Sequence, residues 1–233
     1  SKLTKKNIFI IKSQVFPGFS ETFDTKKNTI YYEVETLIFG QAIKQAINPS
    51  RIIIGAKNKN KINKIYLKYL KKFTKNIILT NFKTAELTKI FINLFLISSI
   101  SLTNTLNKIC DRLGAQWNTI SSALKLDKRI GKHAYIKPGL GISGGNLERD
   151  LEVVINLSKK YNLDSQLFQF YKRNSSNFKN WPFEIFREYF DKKKIIKIFI
   201  LGLSYKKNTN STKNSPSAIT LRPPMTKFSC RKA

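Results

Sequence analysis

A chain of 233 residues, 41% of them hydrophobic, is long enough to bury a core in one or two domains. Its 43 Lys and Arg against 14 Asp and Glu leave a formal charge of +29. Such a field attracts nucleic acid or an anionic membrane, although the lysines run along the whole chain among Ile and Asn, as a codon bias towards A and T also produces. Two cysteines, Cys110 and Cys230, exclude a disulfide framework, a zinc site and a CxxC redox pair.

Residues 7–12 (NIFIIK) read as a short buried strand closed by Phe16, Pro17 and Gly18. Residues 34–46 read as a helix stopped by Pro49, and residues 51–55 (RIIIG) as a second buried strand. Residues 61–73 have the apolar spacing of a helix, at Ile62, Ile65, Tyr66, Leu67, Tyr69 and Leu70. A brief strand at 77–79 precedes the strongest helical signal, which opens at Thr84 with Glu86 in its first turn and ends at Gly114. At about 30 residues it would be roughly 45 Å long, enough to join two lobes or cross a dimer interface.

A shorter helix at 117–125 and an irregular glycine-rich stretch at 130–145 come next, then a helix from Arg149 to Lys160. A mixed aromatic and basic segment, 167–194, leads to an apolar strand at 195–201 (IIKIFIL), the expected start of a further α/β domain. The tail from Thr220 has neither helical nor strand period. No signal peptide is visible, and the longest apolar run, 90–102, is shorter than a bilayer span and contains Asn93. A soluble, cytoplasmic protein without a membrane partner is therefore expected.

Three segments could carry chemistry. Lys89 and Asn93 stand four residues apart in the long apolar helix and share a face, to which Asn104 nearly returns. A ligand or a facing carboxylate could partner this stripe; alternatively, Lys89 reaches solvent and the asparagines bond neighbouring backbone. PGLGISGGNLERDL, residues 138–151, places Gly139, Gly141, Gly144 and Gly145 before a helix start. There, backbone N–H groups can approach an anion or a developing oxyanion, and a plain surface loop is the other reading. It is not a GxGxxG dinucleotide turn, because no strand precedes it. Residues 201–216 (LGLSYKKNTNSTKNSP) follow an apolar run with Lys206, Lys207 and Lys213, as phosphate sites at strand ends often do. The lone His133 lacks partners at metal spacing, so no metal is expected.

In this order the segments resemble the UDP-glucose/GDP-mannose dehydrogenase family, from about Ile8 to Pro216. IIKSQVFPGFSE is similar to the family's STVPPGTT segment, NPSRIIIG to its PDRIVIG strand, and AELTKIFINLFL to its AELxKYxxNxFL helix. The last match puts Lys89 and Asn93 at the family's active-site lysine and asparagine. LDKRIG, residues 126–131, and the glycine-rich segment resemble the family's substrate loop and its PGxGxGGSCFPKDL signature. In register, the family's cysteine falls on Asn146, its lysine on Arg149 and its aspartate on Asp150. Gln14 replaces a threonine, Phe39 a second glutamate whose companion is kept as Glu35, and Lys213 an arginine.

The resemblance implies an α/β fold: a central all-helical, dimerisation-type domain with a long helix, flanked by parts of two Rossmann-like domains. Expected boundaries are 1–80 for the end of an NAD-binding domain, 81–180 for the helical domain, and 181–233 for the start of a UDP-binding domain with an aberrant tail. It implies NAD-dependent oxidation of a UDP-sugar or related nucleotide sugar by a homodimer joined through the long helix. Lys89, Asn93, Asp150 and Asn146 take the catalytic positions; Gly139, Gly141, Gly144, Gly145 and Lys206 would bind substrate, and Glu35 the cofactor. In the family the cysteine thiolate attacks an aldehyde intermediate, which an amide at position 146 cannot do. An inactive nucleotide-sugar-binding homologue or a truncated reading frame is thus an alternative, and a basic nucleic-acid binder is a third.

Overall fold

The computed structural model describes residues 7–23, 28–36, 38, 40–189 and 199–220. The chain is a mixed α/β protein in two compact units, Ser1–Ile92 and Asn93–Ala233.

In the first unit, β1 (Ile8–Ile11), β2 (Thr29–Glu33), β3 (Ile52–Ala56) and β4 (Ile77–Thr80) form one sheet in chain order. The outer pairs are parallel, and β2 runs antiparallel to β3 with Tyr31 opposite Ala56. Strand β2 corrects the sequence-based expectation, which placed nothing at 29–33 and a helix at 34–46. TIYYE is β-branched and aromatic, and its alternation sends Tyr31 to one face and Ile30 and Tyr32 to the other. Val34 prolongs the pairing by donating its N–H to the carbonyl of Ile53 at 3.0 Å, and Gly40 turns at φ 83°. Only α1 (Ala42–Ile47) remains of the expected helix.

Helix α2 (Lys64–Leu70) covers one face of the sheet: Asn63 caps it through Ile65 and Tyr66 N–H, and Tyr66 stacks on Tyr31 at 5.1 Å. The other face packs on Phe82 and Ala85, in the first turn of α3 (Phe82–Leu113). Contact is closest at Gly55, where an added Cβ would stand 2.8 Å from the Ala85 methyl and 3.1 Å from Phe82 Cα. Gly55→Ala should therefore cost about 1–3 kcal/mol in urea unfolding. A cost below about 0.5 kcal/mol, the size of an ordinary surface change, would mean that α3 slides freely on the sheet.

The Tyr66 hydroxyl donates to Glu33 at 2.9 Å; burial first, and then the Glu33 charge, raise its pKa well above the usual tyrosine value. Burial lowers the pKa of Lys12, but Glu33 and Glu35, at 2.9 and 3.2 Å, more than offset this and raise it. Above pH about 10 the unfolded chain releases the tyrosine proton while the folded chain holds it, so stability falls as pH rises. The Lys12 contribution is likewise lost as pH rises through its raised pKa. Alkaline titration should thus unfold this unit from about pH 10, and Tyr66→Phe should flatten that slope. An unchanged slope in the variant would remove Tyr66 as the cause.

In the second unit α3 continues to Gly114, whose φ of 68° ends it, and α4 (Trp117–Leu126) follows. Among the described residues α3 is the one helix long and apolar enough to cross a bilayer by length and composition, beyond what the 90–102 run indicated. Its buried side chains nonetheless include Glu86, Ser101, Thr103 and Asn104, and polar groups at such depth need protein partners. Helix α5 (Asn146–Lys160) starts three residues before the expected Arg149, so Asn146 belongs to the helix.

Helix α6 (Gln166–Tyr189) fills most of the segment for which no regular element was expected. Its fully buried positions are Ser175 and Lys179, four residues apart, so the apolar period that announces a helix is missing there. Of the strand expected at 195–201, residues 195–198 lie outside the described residues and 199–201 have no regular structure. The short α7 (Pro216–Thr220) closes the described chain; Phe39 and the tail from 221 lie outside it.

Candidate active site

In the first unit the opening turns of α3 organise two loops that leave the sheet. Glu86 is fully buried, and its carboxylate accepts the N–H groups of Gly18 at 2.5 Å and Ser20 at 2.8 Å, holding the 3-10 turn Phe19–Thr22. Lys83 pairs with Glu21 of the same turn at 2.9 Å. One turn further along α3, the Lys89 ammonium donates to the main-chain carbonyl of Glu35. Lys89 and Glu35 therefore meet, but through the peptide, while the Glu35 carboxylate faces Lys12. The Gln14 amide is buried with neither its oxygen nor its nitrogen bonded.

In the second unit Asn93 and Asp150 are brought together, the amide nitrogen donating to the carboxylate at 2.5 Å. Asp150 is fully buried in the first turns of α5, and its other oxygen accepts from Arg149 Nε at 3.1 Å. The carboxylate thereby fixes the rotation of the Asn93 amide. Asn146 is exposed at the first position of α5, whose N-cap, Gly145, makes no side-chain bond to the free N–H groups of that turn. A helix start of this kind favours negative charge or a polarised oxygen beside it.

The glycine loop is held from three directions. Gly139 N–H donates to Asn104 Oδ1 and Ile142 N–H to Ser175 Oγ, both at 2.8 Å. Gly144 donates its N–H to the Lys213 carbonyl at 3.1 Å and accepts from Asn214 Nδ2 at 2.9 Å. Gly141, with φ 77°, leaves no room for a Cβ, which would stand 2.6 Å from the Ser175 carbonyl oxygen. The Tyr205 ring crowds Gly144 and the Lys213 side chain crowds Gly145, whereas nothing lies within 4 Å of a Cβ on Gly139. Of the four expected binding glycines, Gly141 and Gly144 are required by positive φ and close neighbours, Gly145 meets only the flexible end of Lys213, and Gly139 faces open space. Lys206 is exposed, with its ammonium 5.5 Å above the Tyr205 ring.

Residues absent from the sequence-based site turn out to shape it. Asn104 carried a visible signal, a polar residue on an apolar helix, and it is 2% exposed. Ser175 carried none. Glu148 joins the Lys179 ammonium at 2.6 Å to the Asn214 amide, on the wall of a cavity of about 590 Å³ that Arg149 and Lys213 also line. Among the described residues no group of His, Cys, Asp and Glu is placed to hold a metal ion.

Residues 83–175 match the UDP-glucose/GDP-mannose dehydrogenase family, central domain. The chain is 29% identical over 225 residues to the UDP-glucose 6-dehydrogenase of Rickettsia prowazekii, covering 92% of this chain and 51% of that protein. It is also 29% identical over 210 residues to the Drosophila melanogaster UDP-glucose 6-dehydrogenase, covering 84% and 43%. A solved UDP-glucose dehydrogenase from Pyrobaculum islandicum superposes with a TM-score of 0.82 at 26% identity, over 91% of this chain and 51% of that one. The UDP-D-ManNAc dehydrogenase from Pyrococcus horikoshii superposes with a TM-score of 0.73 at 25% identity, over 90% and 52%. The chain spans about half the length of the curated relatives it matches. The helical segment 83–175 thus matches the central domain of the UDP-glucose/GDP-mannose dehydrogenase family, and the chain as a whole is similar to nucleotide-sugar dehydrogenases over about half of their length.

Proposed function

We propose that this chain handles the sugar of a nucleotide sugar, UDP-glucose or a relative, at a site that orients the sugar and lacks the means to attack it covalently. The single observation that carries this is the Asn93–Asp150 bond, a polar pair anchored by a fully buried carboxylate next to a braced glycine loop. Asn93 would bond a sugar hydroxyl, and Asp150 would hold Asn93 in place. Asn146 would contribute an amide where the resemblance places a thiolate, so a covalent step has no nucleophile.

The family's cofactor, NAD, takes up hydride when bound. Among the described residues the Glu35 carboxylate is engaged by Lys12. The reading is tested through binding of the sugar. Calorimetric titration should show UDP-glucose bound more tightly than UDP, and Asn93→Ala should erase that difference, about tenfold for one charge-assisted network. Equal affinities for the two ligands, or no binding of either, would sink the proposal.

A thiol introduced by Asn146→Cys would sit at the start of α5 beside the Lys213 side chain, which reaches Gly145. It should titrate at about 7 or below, under the ordinary thiol value near 8.5. The rate of alkylation by iodoacetamide against pH reads this directly, and a midpoint at the ordinary value would show that the helix start does not polarise position 146.

We also propose a homodimer through α3. Phe95, Leu102 and Ile109 recur every seven residues and are 77%, 61% and 49% exposed, the spacing of a seam that another helix covers. Sedimentation should show a dimer that Leu102→Glu converts to monomer; a monomeric parent chain would refute it.

A further inference from the structure

Between Glu35 and Glu86 the sequence carries eleven Lys and Arg and no Asp or Glu; all 14 acidic residues lie elsewhere or at those two bounds. Most of them lie on α2, on its two flanking turns and at the adjoining end of β3. Helix α2 turns Tyr66 and Leu70 into the core and leaves Lys64, Ile65, Lys68 and Tyr69 outside, with Ile65 82% and Tyr69 53% exposed. Lys59 and Lys61 are exposed in the turn that leads into the helix, and Lys72 and Lys75 in the turn that leaves it. The parallel register of Ile52 with Ile77, and the bond from Asn76 Nδ2 to the Ser50 carbonyl at 3.0 Å, bring Arg51 to the same end as Lys75. Among the described residues, none of the six lysines 59, 61, 64, 68, 72 and 75 forms an ion pair.

We propose that the outer side of α2 and its two flanking turns form a docking surface for nucleic acid, held through its phosphates without base preference. Charge complementarity carries the assignment: a strip of unpaired ammonium groups along the helix fits a line of phosphates, and each contact releases a counterion. Lysine, a point charge without a planar fork, suits phosphate contact more than base readout. An anionic membrane fits less well, because attachment to one scales with the apolar area inserted and α2 offers only Ile65 and Tyr69. The exposed Tyr69 ring adds a face on which an unpaired base can stack.

The test is fluorescence anisotropy of the full chain with a labelled single-stranded oligonucleotide of roughly 30 nucleotides, from about 50 to about 200 mM salt. Two triple variants are compared, Lys64→Glu/Lys68→Glu/Lys72→Glu and, as a control of equal charge change on other exposed positions, Lys125→Glu/Lys128→Glu/Lys132→Glu. The α2 variant should bind at least about tenfold more weakly and lower the salt slope by about three, while the control stays within about threefold. Circular dichroism checks folding, and Lys64→Gln/Lys68→Gln/Lys72→Gln replaces the reversal if that variant is unfolded. Equal losses in both triples would overturn the proposal in favour of net charge alone. So would absence of oligonucleotide binding, or displacement of the oligonucleotide by phosphatidylserine vesicles that bind more tightly through the same lysines.

Discussion

Glu86→Ala is expected to destabilise the first unit by about 3 kcal/mol, because the part-buried N–H of Gly18 and the buried N–H of Ser20 lose their acceptor together. Ser20 is fully buried, so water cannot replace the carboxylate there without opening the turn. Glu86→Gln keeps one acceptor oxygen and should lose roughly half as much. Urea unfolding gives the magnitudes, and hydrogen exchange at the Ser20 amide locates them: it should quicken in both variants, and more in the alanine one. If the two substitutions behave alike and cost less than about 1 kcal/mol, the 3-10 turn is held by something other than this carboxylate.

Gly141→Ala should be the most damaging single-methyl change in the glycine loop. Alanine at φ 77° carries a left-handed penalty of about 1–2 kcal/mol. The methyl would also meet the Ser175 carbonyl oxygen at 2.6 Å, a backbone atom of α6 that cannot swing aside, for another 1–3 kcal/mol or so. Together these predict a loss of about 3 kcal/mol, with UDP-glucose binding lost alongside. Gly139→Ala is the matched control, since open space surrounds that position, and it should cost no more than about 0.5 kcal/mol. Equal costs at the two glycines would mean that the loop is not pressed against α6 at all.

Elements whose burial is apolar could be read from the residues. β3 is a buried run of Ile, and α3 repeats its apolar positions for more than eight turns, so period and composition agree with the structure there; β1 forms as a strand but, at the edge of the sheet, leaves Ile8, Phe9 and Ile10 exposed where a buried strand was expected. β2 escaped because its two core-facing tyrosines, Tyr31 and Tyr32, look as much like surface as core. α6 escaped because what it buries is a serine and a lysine. At the site, Asn93 and Asp150 were found through spacing and resemblance, and the structure places them in contact. The braces around the glycine loop were not legible: Ser175 and Asn214 act across 33 and 70 residues of sequence, and no local pattern marks a hydroxyl or an amide as a partner at that range. Glu148 and Lys179 were hidden for the same reason, each looking like an ordinary solvated charge until α5 and α6 are paired.

The Gly144 peptide, bonded on both sides to residues 213 and 214, has a consequence for the order of events during synthesis. A ribosome adding about 5–20 residues per second needs on the order of 4–14 s to make the 70 residues between Gly144 and Asn214. Through that interval the loop has its Asn104 brace available early and its Ser175 brace midway, but not the segment that completes it. The nascent chain must therefore carry the glycine loop ahead of α5 without its last brace until the segment around Lys213 emerges and bonds Gly144.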